Sequence, residues 1–186
     1  SLAVFVSFFI NGFFKDFFQA SRPYQAYPDR IVPQYESHSY SFPSGHALES
    51  FTFWGFIAAA RRNAWWTAAA AVIVVHVAFA KMTAGVHWPA DILFGWMLAA
   101  ALLIVSFGVI RHFENAPPST PLLIACALLI PAAMMALYYG AGVGGRLDEE
   151  NVYQSAGLIS SMLLAYGWER ARIRFVIPLA WWRRLS

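Results

Sequence analysis

Charge is scarce in this chain. Asp, Glu, Lys and Arg make up 12% of its 186 residues, where a soluble domain carries about 25%. Instead 59% of the residues are hydrophobic and 17% aromatic, with eight Trp. The apolar residues fall in long runs, which reads as an integral membrane protein rather than an oily soluble domain. The net charge of +3 is not gathered into a basic stripe, so a nucleic-acid partner is not expected. One cysteine, Cys126, excludes a disulfide within the chain and is silent on redox compartment. Inside its apolar run it reads as a small buried side chain. The first residues lack a Met and a basic n-region, so they do not read as a signal peptide. They read as a helix entered partway, which leaves room for an upstream segment. There is no internal repeat and no low-complexity tract.

Six runs approach the roughly 20 apolar residues that a membrane helix needs. They are Leu2 to about Gln19, His46 to Ala60, Ala64 to Ala80, Pro89 to Ile110, Pro121 to Tyr139 and the shorter Tyr153 to Trp168. The expected fold is all-α: one polytopic bundle of about six transmembrane helices, with residues 1–186 as a single domain. If the helices alternate, Arg61, Arg62, Arg111, Arg170, Arg172, Arg174, Arg183 and Arg184 share one side. Lys15, Arg22, Arg30, Lys81 and Arg146 share the other. Positive residues favour the cytoplasm, so the second side is expected to face outward.

Three polar clusters interrupt the apolar runs, and all map to that outward side. Pro43-Ser44-Gly45-His46 opens a helix. Ser44 suits an N-cap, Gly45 permits close backbone approach, and a helix start offers unpaired N–H groups to an anion. His46 sits in the first turn. Alone, such a triplet is ordinary capping. His87-Trp88-Pro89-Ala90-Asp91 opens another helix, with Pro89 at a favourable first position. Asp91 lies four residues beyond His87 and can reach its ring. A carboxylate on one imidazole nitrogen fixes the tautomer and leaves the other nitrogen as nucleophile or base. The plainer reading is a helix cap beside an interfacial histidine. Lys15 and Arg22 are seven residues apart, and Pro23 makes Arg22 the exit into a loop. Such cations often snorkel to headgroups, yet Arg is shaped for bidentate phosphate recognition and Lys adds a point charge. The loop from Ser21 to Pro43 is long, with four Pro and four Tyr, and joins two of these clusters.

Order, spacing and residue type together resemble the PAP2 superfamily of lipid phosphatases, which includes the vanadium haloperoxidases. Its signature reads Lys-x6-Arg-Pro, then Pro-Ser-Gly-His, then Ser-Arg-x5-His-x3-Asp. Lys15 to Pro23 matches the first part, Pro43 to His46 the second, and His87 with Asp91 the third. At the third, Ala80-Lys81 stands where the family has Ser-Arg. Lys81 keeps the charge without the planar fork, and Ala80 lacks the hydroxyl. The resemblance implies a haloperoxidase-like helical core and a set of roles. His87 attacks phosphorus and becomes a phosphohistidine, Asp91 orients it, and His46 protonates the leaving oxygen. Lys15, Arg22, Ser44, Gly45 and Lys81 hold the phosphoryl oxygens. No metal and no cofactor is implied. The expected substrate is a lipid phosphate or diphosphate in the surrounding membrane lipid, with candidates from isoprenyl diphosphate to phosphatidate. The expected location is a bacterial inner membrane, with the site on the periplasmic side. A lipid phosphotransferase using the same site, and a non-catalytic scaffold or transporter retaining the motif, are the rival readings.

Several other features have weaker claims. Glu49, one turn beyond Gly45, is a candidate second layer behind His46. His76 lies within an apolar run and reads as a packed, hydrogen-bonded core histidine. His38 reads as a solvated loop residue. The stretch from Gly140 to Gly145 lacks the G-x-x-x-x-G-K-[ST] pattern and reads as a flexible loop. Asp148-Glu149-Glu150 reads as charge at a helix start, with a divalent-metal site as the lesser reading.

Overall fold

The computed structural model describes residues 2–115 and 117–173. Arg174, Arg183 and Arg184, counted above among the basic residues, lie outside the described residues. The described chain is helical and contains no strand. α1 spans Leu2–Phe18, α2 Pro23–Ala26, α3 Gly45–Arg61, α4 Ala64–Thr83, α5 Pro89–Asn115, α6 Thr120–Gly140 and α7 Glu149–Trp168. A π-helical turn, Glu169–Ile173, follows α7.

Local chemistry sets several of the boundaries. Arg62 ends α3 in a left-handed conformation, φ 51° and ψ 37°. The Asn63 side chain then accepts from the Trp65 N–H at 2.8 Å and opens α4. The Ser119 hydroxyl accepts from the Leu122 N–H and opens α6. Arg22 is extended, φ −76° and ψ 157°, as a residue before proline should be, and it precedes the single turn of α2.

The long helices alternate in direction and pack in two groups that meet along α1. α1, α6 and α7 enclose Phe9, Met134, Tyr138, Val152 and Ile159. α3, α4 and α5 meet around Ala47, Ala78 and Ile92. Small side chains let the second group approach closely. A Cβ on Gly95 of α5 would stand 3.0 Å from the Ser44 carbonyl oxygen and 3.3 Å from the Ala47 Cβ. That contact brings the starts of α3 and α5 together.

Four segments are long and apolar enough to cross a membrane: 2–26, Ala64–Thr83, Pro89–Phe113 and Thr120–Gly140. Their outward faces carry exposed apolar side chains such as Val72, Phe79, Ile104 and Leu129. An apolar exterior on apolar spans is the pattern of a bundle solvated by lipid, and the protein is an integral membrane protein. The 17-residue α3 and the acid-led α7 fall outside that set of four.

Several expectations change. The loop after α1 contains the α2 turn. α5 runs five residues beyond Ile110, and α7 begins four residues before Tyr153. His76 is exposed on the outer face of α4 rather than packed in the core, because α4 lies against α3 and turns that residue outward. The 140–145 segment is not simply loose: Val143 within it is buried against Tyr138 and Val152. Glu149 and Glu150 do begin α7, but Asp148 is buried at 2% exposure rather than solvated. His38 is exposed, and Cys126 is half-buried on α6.

Candidate active site

The ends that carry the three clusters lie together. The C-terminal ends of α1 and α4, the starts of α3, α5 and α7, and the 19–44 loop are joined by side-chain hydrogen bonds.

The start of α5 fixes a histidine. Asp91 Oδ2 accepts from the Trp88 N–H at 2.8 Å, from the Ser41 hydroxyl at 2.5 Å, and lies 3.2 Å from His87 Nδ1. A carboxylate there draws the ring proton to Nδ1 and leaves the Nε2 lone pair free. His87 and Asp91 are both buried. Burial is the largest influence on His87 and holds it below the ordinary histidine value. The Asp91 hydrogen bond works against that shift, while the charges of Arg22 and Lys15 add to it.

Two buried cations stand beside the ring. Arg22 comes from the chain between α1 and α2. Its Nε donates to the Ser39 carbonyl at 2.8 Å, Nη1 to the Val86 carbonyl at 2.9 Å and Nη2 to the Tyr40 carbonyl at 3.1 Å. Its Nη1 is 3.5 Å from His87 Nε2. Three carbonyls thus aim a planar fork at the free ring nitrogen, and the guanidinium retains further N–H donors. Lys15, in the last turn of α1, donates to the Tyr40 carbonyl at 2.9 Å and to the Ser39 hydroxyl.

The start of α3 supplies the opposite wall. The Ser44 N–H donates to the Asp91 carbonyl at 3.1 Å. The Ser44 hydroxyl is buried and has no hydrogen-bond partner among the described residues. Such orphans are rare in folded proteins, and an anion at this helix start would satisfy it. Gly45 is crowded: a Cβ there would meet Asn11 Oδ1 at 2.9 Å and Glu49 Oε1 at 3.1 Å. His46 is exposed at the rim, within the field of Lys81, His87, Lys15 and Arg22. Glu49 thus folds back over the first turn of α3, against Gly45.

Lys15, Arg22, Ser44, Gly45, His46, His87 and Asp91 therefore gather at one place. Lys81 stands at the edge. Its Nζ donates to the Tyr35 hydroxyl at 3.1 Å and lies 5.2 Å from that ring's centroid. Three further participants, Ser41, Ser39 and Asn11, had no signal in the sequence, and a fourth, Asp148, read there only as helix-start charge or a metal ligand. Ser41 holds Asp91, and Ser39 holds both cations. Asn11 donates to the Pro43 carbonyl at 3.2 Å, and Asp148 accepts from Ser39 at 2.8 Å. Ser and Asn are too common in loops and helix ends to mark a site by type, and Asp148 is 133 residues from Lys15.

Residues 1–115 match the PAP2 superfamily. No curated protein and no solved structure matches the chain. The matched stretch holds all three clusters, from Lys15 through His46 to Asp91. It covers more than half of the chain, and the protein belongs to the PAP2 superfamily.

Proposed function

We propose that this chain is an integral membrane lipid phosphatase that works through a phosphohistidine. PAP2 proteins are generally phosphatases, which supports hydrolase chemistry at the coarse level. The observation that carries the finer reading is the His87 ring: Nδ1 is tied to Asp91 and Nε2 is open beside Arg22 Nη1.

The chemistry follows from the donors present. Phosphoryl transfer needs positioning and neutralisation of the equatorial oxygens more than covalent assistance. Lys15, Arg22 and the N–H groups at the start of α3 supply both, and Ser44 adds a hydroxyl. His87 Nε2 attacks phosphorus as the bond to the lipid oxygen breaks. The electron pair leaves on that oxygen, and His46 gives it a proton. Water then attacks the phosphohistidine, giving its proton to His46; the P–N bond breaks, inorganic phosphate leaves, and both rings return to their starting forms. Asp91 steadies the positive charge the ring carries in between. The cationic cradle does the work that a metal ion does in other phosphatases, so activity is expected to persist in EDTA.

The lipid tail stays in the bilayer while the headgroup enters beneath the 19–44 loop. The outward placement of the site, in a bacterial inner membrane the periplasmic face, is carried over from the sequence pattern alone; among the described residues Lys and Arg number five on each side. A panel of lipid phosphates and diphosphates, tested on detergent-purified protein and on His87→Ala, tests the reading. Phosphate release by the wild type alone supports it. Release from no substrate would favour a scaffold. Transfer to an added lipid acceptor in place of release would make the protein a phosphotransferase.

A further inference from the structure

Two cations buried side by side need a counter-charge, and the site supplies only part of it. Asp91 is taken up by His87, Ser41 and Trp88. Glu49 lies within the field of Lys15 but folds against Gly45, and the carboxylate that acts on Lys15 most strongly comes from outside the stretch that matches the family. Asp148 leads into α7 and is 2% exposed. It is fixed from three directions. Its Oδ1 accepts from Asn151 Nδ2 at 2.9 Å, its N–H donates to Asp16 Oδ1 at 3.2 Å, and its carboxylate accepts the Ser39 hydroxyl at 2.8 and 3.0 Å.

Ser39 is the relay. A hydroxyl has one proton and two lone pairs. With that proton on Asp148, the lone pairs turn to Lys15 Nζ, which donates to them. The carbonyl of the same residue takes Arg22 Nε at 2.8 Å. One loop serine therefore holds both signature cations, and Asp148 holds the serine. Lys15 and Asp148 form no direct ion pair among the described residues. The interposed hydroxyl keeps the carboxylate close enough to offset the ammonium without occupying it. Two of the three Lys15 N–H groups are committed, to Ser39 and Tyr40, and one is left for a phosphoryl oxygen.

We propose that Asp148 is a positioning residue of the phosphate site. Acting through Ser39, it sets the place and charge balance of Lys15, so the α6–α7 hairpin completes a site whose signature lies wholly within residues 1–115. The proposal rests on the phosphatase reading above.

The test measures orthovanadate affinity by calorimetry, with kcat and KM for a short-chain phosphatidate, on detergent-purified full chain. Asp148→Asn keeps the shape and removes the charge. Vanadate affinity is expected to fall about tenfold or more, the scale of losing one charge-assisted hydrogen bond. Ser39→Ala should do the same, and Ser39→Thr, which keeps the hydroxyl, should recover to within about threefold of wild type. The decisive arm is the double variant. In a Lys15→Met background, Asp148→Asn should change vanadate affinity by less than about twofold, because its route is gone. Equal losses in both backgrounds, or unchanged affinity in Asp148→Asn, would overturn the proposal. The serine pair carries the test if Asp148→Asn does not fold, and Ser39→Thr as poor as Ser39→Ala would also overturn it. A wild type that neither binds vanadate nor releases phosphate would overturn the phosphatase reading and this proposal together. An active wild type with an indifferent Asp148 would overturn this proposal alone.

Discussion

Asp91 Oδ2 lies 3.2 Å from His87 Nδ1, and the same oxygen takes the Ser41 hydroxyl and the Trp88 N–H. One oxygen thus orders the ring, the loop and the first turn of α5. An amide oxygen at this position can accept the same bonds but carries no charge to steady the positive ring, and a flipped amide turns N–H groups toward the donors. Asp91→Asn is expected to cut kcat by up to about 10⁴, the scale of losing the orienting carboxylate of a catalytic triad. Steady-state kinetics on folded variant checks it. Turnover within a factor of three of wild type would deny Asp91 the orienting role.

The attacking form of His87 is the neutral ring, which predominates above its pKa. Burial holds that pKa below the ordinary value of 6.5, so the acid-side fall in kcat/KM should come below 6.5. Two variants move the limb in opposite directions. Arg22→Gln removes a charge that lowers the His87 pKa, so the limb rises. Asp91→Asn removes an interaction that raises it, so the limb falls. A pH–rate series on a lipid phosphate of known second ionisation reads both shifts.

Gly45→Ala places a methyl 2.9 Å from Asn11 Oδ1 and 3.1 Å from Glu49 Oε1. Glu49 can swing away. Asn11 is buried and tied to the Pro43 carbonyl, so the start of α3 must move. Overpacking of this kind costs about 1–3 kcal/mol. Activity should fall further than stability suggests, because the displaced N–H groups are the proposed phosphate donors. Thermal unfolding in detergent and kcat/KM, measured on the same preparation, separate the two effects.

Lys81 sits at the rim on Tyr35, away from the carbonyl-bound pair Lys15 and Arg22. Lys81→Arg restores the fork that the family carries there and can still stack on the Tyr35 ring. Turnover is expected to stay within about threefold of wild type or to rise. A drop of more than tenfold would mean that the site depends on a primary amine at this position.

The helices were legible because membrane spans announce themselves as long apolar runs, and the Pro, Ser and Asn residues at their starts mark boundaries within a few residues. The core of the site was legible for a related reason. His87 and Asp91 are neighbours along one helix start, and Ser44, Gly45 and His46 are contiguous, so local geometry alone brings each set together. Lys15 and Arg22 were readable as a pair, although no continuous helix joins them. They converge because Ser39 and Tyr40 bind both. What stayed hidden depends on contacts between distant segments. Asp148 looks like a helix-start acid in the sequence, since nothing local says that α7 will press its first turn against the end of α1. His76 reads as a core residue in the sequence because a polar group in an apolar run usually finds its partners inside the bundle. Which face of α4 meets α3 is settled by small residues such as Ala70 and Ala78, and their contact turns His76 outward.

Acid-stable and acid-labile phosphoenzymes separate cleanly, so rapid quenching tests the central claim most directly. The protein is mixed with lipid substrate labelled with ³²P and quenched in alkali within the first turnover, and the labelled peptide is mapped by mass spectrometry. The account predicts a base-stable, acid-labile phosphate on His87, absent from His87→Ala and accumulating when water attack is slowed. An active enzyme that carries no label at any time in the turnover, or carries it on another residue, would contradict it.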